Sequence, residues 1–131
     1  MPGQMRADWV AGWRGIRIHG EQLLNEAMNC TFSQPVTAYL TEARIIACCC
    51  IGLTHRHVRA DPVSGQFTDG RLIRTSAILR VGQEGGLWVL HTYTGSFYVI
   101  ASFRADDGYQ SLMEYRVFLT SGYHPAPGRL H

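Results

Sequence analysis

The stretch DGRLIRTSAILRVGQEGGLWVLHTYTGSFYVIASFR, residues 69–104, decides the fold. Asp69-Gly70 is a turn pair. After it Ile73, Thr75, Ala77, Leu79 and Val81 fall on one face of an extended chain, with Arg74, Ser76 and Arg80 on the other, the pattern of a half-buried strand. Gln83-Glu84-Gly85-Gly86 supplies residues that tolerate positive φ, and Leu87 to Tyr93 follows as a run of β-branched, aromatic and large apolar residues, so a hairpin is expected. Thr94-Gly95-Ser96 makes the next turn. Phe97 to Arg104 then alternates again, with Phe97, Val99, Ala101 and Phe103 opposite Tyr98, Ile100, Ser102 and Arg104. Three antiparallel strands joined by short loops result, with no catalytic or cofactor motif inside them.

Upstream, Leu23, Leu24, Ala27 and Met28 form an apolar stripe across Gly20 to Asn29, while Glu21, Asn25 and Glu26 face away, which predicts an amphipathic helix. Met5 to Trp13 places Trp9, Val10 and Trp13 on one side of a short helix that Gly12 and Gly15 weaken. Ser33-Gln34-Pro35 predicts a second helix running to about Ala43, with Ser33 as N-cap and Val36, Tyr39, Leu40 and Ala43 turned inward. Arg44 to Leu53 is apolar without a clear period, so strand and continued helix compete; Ile45, Ile46, Ile51 and the cysteines favour a strand. Ala60 to Gly70, with Asp61-Pro62, Ser64-Gly65 and Asp69-Gly70, predicts a surface loop. Downstream, Leu112 to Thr120 is expected to begin as a helical turn and end as a strand through Tyr115, Val117 and Leu119. Ser121 to His131 is expected to be a flexible tail.

At 131 residues the chain is expected to form one domain, α+β in class. Its helical third spans about 5–43, an antiparallel β-meander of four to five strands spans about 44–120, and the whole is open to closing as a small SH3-like half-barrel. Apolar residues at 46% and charged residues at 17% place it among globular chains. All twelve basic residues are arginine, which GC-rich coding explains most simply; arginine also suits bidentate contacts to phosphate or carboxylate and stacking on aromatic rings. A net charge of +2, with the arginines scattered from Arg6 to Arg129, makes no nucleic-acid footprint by itself. Cys30 and the run Cys48-Cys49-Cys50 lack the second cluster of a zinc finger or ribbon, so reduced thiols are expected, with neither metal nor cofactor. No apolar segment nears 18 residues and no leader opens the chain, so no membrane partner is expected and a reducing cytoplasm fits best.

Candidate chemistry is dispersed. His55 and His57, two apart, would share one face of a strand at a spacing metals use, but a site needs further ligands, for which Cys50, Asp61 or His91 would have to be brought close. A ribonuclease of the small-toxin kind would use His55 or His91 as base or acid and Arg74 to steady a phosphorane. In a chain with six histidines and twelve arginines such a set arises readily by chance. The Arg74-Thr75-Ser76 strand motif of nicotinamide-dependent transferases would need an acidic or glutamine companion two positions before Glu84 or Glu114, and there is none. No phosphate loop, nucleophile elbow or His-Glu-x-x-His occurs. A nucleic-acid-binding barrel would have Arg74 and Arg80 gripping phosphates while Tyr98 or Trp88 stacks on bases. The supply of aromatic side chains, Trp9, Trp13, Trp88 and Tyr98 among them, together with arginine, is the composition of protein-binding hot spots.

Asp69-Gly70-Arg71-Leu72-Ile73-Arg74-Thr75-Ser76, then the hairpin, then Thr94-Gly95-Ser96-Phe97-Tyr98-Val99-Ile100 resembles small uncharacterised proteins carried by proteobacterial phages and prophages. In those proteins a Gly-x-x-Val-Arg-Thr-Ser strand precedes a strand, a turn and a Tyr-x-Leu strand. The likeness covers roughly Ile45 to Phe103 and departs where Val99-Ile100-Ala101-Ser102 replaces a closing Leu-Gly. It implies a non-enzymatic binder of a host protein, such as an anti-CRISPR-like inhibitor of host defence. The expected binding residues are therefore Arg74, Arg80, Trp88, Tyr98, Trp9 and Trp13, the expected partner is a host protein, and nucleic acid or a second copy of the chain are the alternatives.

Overall fold

The computed structural model describes residues 12–122. Along the chain run α1 (Gly12–Met28), β1 (Ala38–Ile46), β2 (Cys49–His55), β3 (Leu72–Arg74), β4 (Ile78–Glu84), β5 (Leu87–Thr92), β6 (Phe97–Ile100) and α2 (Gly108–Thr120). The fold is α+β. The strands form one six-stranded sheet in the order β3-β2-β1-β6-β5-β4, antiparallel throughout except that β1 and β6 run parallel. The expectation of a purely antiparallel meander of four to five strands is corrected on both counts. Its central hairpins stand: β4 pairs with β5, and β5 with β6, through the two turns read from the sequence. The loop over residues 60–70 stands as well.

The stretch expected to be one strand from Ile73 to Val81 is two strands at opposite edges of the sheet. The edge strands of a flat six-stranded sheet stand about 24 Å apart at about 4.8 Å per pair. Thr75, Ser76 and Ala77 alone join β3 to β4, and four Cα steps of about 3.8 Å reach at most about 15 Å. The sheet must therefore curl until its edges meet, and the hydrogen bonds at the corner show where. Thr75 N–H donates to Cys50 O at 2.9 Å and Ile78 N–H to Cys48 O at 2.7 Å, while Tyr93 N–H donates to Ala77 O at 2.8 Å from the β5 side. Buried Thr75 locks the corner: its hydroxyl accepts from Cys50 N–H at 2.9 Å and donates to Ser76 O at 2.8 Å.

Two cores result, one on each face. Inside the curl, Ala38, Leu40, Ile45, Cys50, Ile78, Leu90, Tyr98 and Ile100 pack with Leu112 and Tyr115 of α2. On the opposite face Val89, Phe97, Val99 and Ala101 pack with Ala27 of α1, flanked by Leu24, Phe32 and Val36. The stripe read over Gly20 to Asn29 is thus the face α1 buries, although the helix runs unbroken through Gly15 and Gly20. Of the helix expected at Met5 to Trp13, residues 5–11 lie outside the described residues, as does the tail over 123–131, while Gly12 and Trp13 open α1. Because β6 lies between β1 and β5 under both cores, all of Phe97–Ile100 is buried, which corrects the half-buried alternation expected there.

Two further expectations are corrected. The stretch expected to be a helix from Ser33 to Ala43 is irregular as far as Thr37 and then enters β1, so the helical third ends at Met28. Val36, Tyr39, Leu40 and Ala43 mimic a helical spacing because of a bulge. Glu42 sits at φ +52, the register with β2 slips between Thr41 and Arg44, and Leu40, Ala43 and Ile45 all turn inward. Gly52 lies opposite, where a Cβ would stand 3.1 Å from Thr41 O and 3.4 Å from Ala43 Cα. Ser33 caps no helix; its N–H and hydroxyl donate to the Glu84 carboxylate at 2.7 and 2.6 Å. The strand expected at the end of Leu112 to Thr120 is the continuation of α2, so the meander stops at Ile100. Leu112, Tyr115 and Leu119 recur at three and four residues, and that stripe is what the inner core receives.

Candidate protein-binding groove

α2 packs chiefly on β1 and touches β4, where its flank leaves a groove of about 300 Å³ lined by Leu79, Arg80, Val81, Arg116, Leu119 and Thr120. The floor follows from the strand register. Val81 sits opposite Leu90 and Gln83 opposite Trp88, so Val81 and Trp88 share the inward face beneath α2. A register slip between Ile78 and Arg80 turns Leu79 out of the ladder, leaving it 38% exposed at the rim. On the helix side, Arg116 lays its guanidinium over the Trp88 ring, 4.7 Å from the centroid. Val117, between Arg116 and Leu119 on α2, is 65% exposed.

The groove is cationic as well as apolar. Among the described residues the only ion pairs are Arg44 and Arg104 with Asp107, at 3.6 and 3.8 Å, so neither Arg80 nor Arg116 has a carboxylate partner. Arg80 Nη2 reaches His91 Nδ1 at 3.2 Å. Such a site buries apolar side chains and offers the Arg116 guanidinium to carboxylates, while Arg80, whose guanidinium is tied to His91, lines its edge; the lining residues place no nucleophile beside a base.

The structure distributes the residues singled out from sequence unevenly. Arg80 lines the groove and Trp88 supports it through Arg116. Arg74 is exposed on β3 opposite Ile51, at the other edge of the sheet order, so Arg74 and Arg80 do not share one strand face. Tyr98 is 4% exposed inside the curl, where its ring serves the core and burial raises its hydroxyl pKa. Trp9 and the Trp13 side chain lie outside the described residues. Arg116, Leu119, Leu79 and Val81 were missed. The Leu112-Tyr115-Leu119 spacing was the available signal, since it defines a helix whose flank carries Arg116 and Thr120.

The histidines stand apart. His55 on β2 pairs its Nε2 with Thr41 Oγ1 at 2.8 Å, and His91 on β5 meets the Phe97 ring edge at a centroid distance of 5.0 Å. β1 and β6 separate those strands in the sheet, and His55 and His91 each bond a different partner, Thr41 and Arg80, so His55, His91 and Arg74 form no shared cluster. His57 leaves the strand because Arg56 turns the chain at φ +54, so His55 and His57 do not share a face. His57 stacks on Phe67 at 4.2 Å, accepts from Arg59 N–H at Nδ1 and leaves buried Nε2 without a partner among the described residues. Among the described residues no three His, Cys, Asp or Glu side chains gather to hold a metal.

Burial lowers the pKa of all three histidines below 6.5; Arg59 adds to this at His57 and Arg80 at His91, while Asp69 opposes it at His55 and Glu84 at His91. The unfolded chain therefore binds more protons just below pH 6.5. Stability is full above that value and lost as pH falls through the lowered folded-state pKa values. The urea midpoint is expected to drop between pH 7.5 and 5.5, above the range where carboxylates titrate. His57→Phe, which keeps the stack on Phe67, should shrink that drop; a midpoint that holds or rises at pH 5.5 contradicts the account.

No protein-family model matches this chain, no curated protein matches it, and no solved structure matches it. Among the described residues no helix is long and apolar enough to cross a membrane.

Proposed function

We propose that the chain is a non-enzymatic protein-binding module whose β4–α2 groove takes an apolar segment bearing acidic side chains from a partner protein. The observation that carries this reading is the joining of an apolar lining, Leu79, Val81 and Leu119, to the arginines Arg116 and Arg80, neither of which has a carboxylate partner among the described residues. Apolar burial supplies affinity, and bidentate arginine contacts to carboxylate supply orientation. The curled sheet serves as the scaffold, in the manner of a small SH3-like half-barrel. The resemblance of roughly Ile45 to Phe103 to phage and prophage proteins adds to this reading a mobile-element origin, a host protein in the host cytoplasm as partner, and inhibition of a host defence system as the outcome.

The test is a pull-down from bacterial lysate with and without nuclease, using the wild type and the double variant Leu79→Glu, Arg116→Glu. Both positions are exposed, so the fold is expected to survive and circular dichroism checks it. The partner is expected to persist after nuclease and to fall at least about tenfold with the double variant, about 1.4 kcal/mol or more. A partner that vanishes with nuclease, or that the double variant holds as well as wild type, defeats the proposal.

A further inference from the structure

Cys48 and Cys49 bring their sulfurs to 3.9 Å. A pyramidal trivalent centre with bonds to sulfur of about 2.3 Å holds two sulfurs at most about 3.8 Å apart, so this pair closes on one with a shift of tenths of an ångström. Adjacent cysteines in a regular strand point to opposite faces, but here the pair straddles the end of the β1–β2 turn. Ala47 stands at φ +56 and Cys48 occupies the turn before β2 begins at Cys49. Cys48 is 4% exposed and packed into the inner core, which fixes its position, whereas Cys49 is only half-buried and gives access from solvent. The other thiols do not join them: Cys50 is fully buried in the core, its thiol donating to the Ile51 carbonyl at 3.9 Å, and the Cys30 thiol donates to the Glu26 carbonyl at the end of α1. With no group of three metal-binding side chains among the described residues, the pair offers two donors and no more. Two donors cannot cage a cation that requires four protein ligands, but they match a thiophilic centre that has two exchangeable positions and carries its own third substituent.

We propose that Cys48 and Cys49 form a bidentate clamp for organic trivalent arsenicals, R–As(OH)2. Both As–O bonds break and two As–S bonds form; the two thiol protons leave with the two hydroxides as water, and arsenic stays trivalent. Burial and the neighbouring Cys48 thiol push the Cys49 pKa up, so Cys49 holds its proton at neutral pH and supplies it when water leaves. The probe is phenylarsine oxide added to the full chain in the presence of excess monothiol. Intact mass should show one phenylarsenic adduct per chain, and titratable thiols in denaturant should fall from four to two. A dithiol should release it. Cys49→Ser, at the half-buried position, should reduce adduct retention at least tenfold, and Cys30→Ser should leave it unchanged. The proposal is overturned if wild type fails to retain the adduct against monothiol, if folded Cys49→Ser retains it, or if Cys30→Ser abolishes it.

Discussion

Gly108→Ala is expected to cost about 3 kcal/mol of folding free energy, the upper part of the range for overpacking and a large share of a total near 5–15 kcal/mol. Gly108 opens α2 directly on the β1 bulge. A Cβ there would lie inside contact distance of the Ala43 carbonyl oxygen, 2.9 Å from Phe103 Cβ and 3.2 Å from Phe103 C. Two of those neighbours are backbone atoms, held because Arg104 N–H donates to Ala43 O at 3.0 Å and Ala43 N–H to Ser102 O at 3.1 Å, so they cannot step aside cheaply. The helix itself would have to lift. Lifting it also breaks the contact in which Ile45 N–H donates to Ser111 Oγ at 2.8 Å, while the same hydroxyl donates to Gly108 O at 2.7 Å. Gly20→Ala provides the opposite sign: nothing lies within 4 Å of its Cβ position inside α1, so about 1 kcal/mol of stabilisation is expected. Urea denaturation of both variants decides it. A Gly108→Ala midpoint within error of wild type would mean that α2 does not seat as described.

Phe97→Ala should cost about 3–5 kcal/mol. Phe97 is 1% exposed on the central strand β6, where it meets the Phe32 ring at 6.2 Å and the His91 ring at 5.0 Å, and packs in the core that α1 covers. The truncation removes the largest side chain of that core and leaves a cavity that the flanking strands, held by β1 and β5 ladders, cannot collapse into. A loss below about 1 kcal/mol in chemical denaturation would show that α1 does not depend on this residue.

The groove was only partly legible in the sequence. Arg80 and Trp88 stood out by type, but their partners on α2 were hidden. The odd-numbered apolar residues Tyr115, Val117 and Leu119 alternate as a strand would, while the even-spaced reading ignores Leu112. Tyr98 was expected at a binding surface because β6 was read as half-buried. An aromatic residue in a strand flanked by two others under two cores has no solvent face to offer.

Local chemistry determined the β4–β5–β6 meander, the loop over residues 60–70 and the buried stripe of α1, since turn glycines, alternation and helical spacing act between near neighbours. Tertiary structure alone decided the rest. The bulge at Glu42 converts an apparent helical period into a strand because Gly52 lets the opposite backbone approach. The break at Thr75 to Ala77 carries one apparent strand to two edges because the corner bonds to Cys48, Cys50 and Tyr93 outweigh continued extension. The groove exists only once that curl and α2 meet, and no pattern in the chain encodes a contact between residues about forty positions apart until folding makes it.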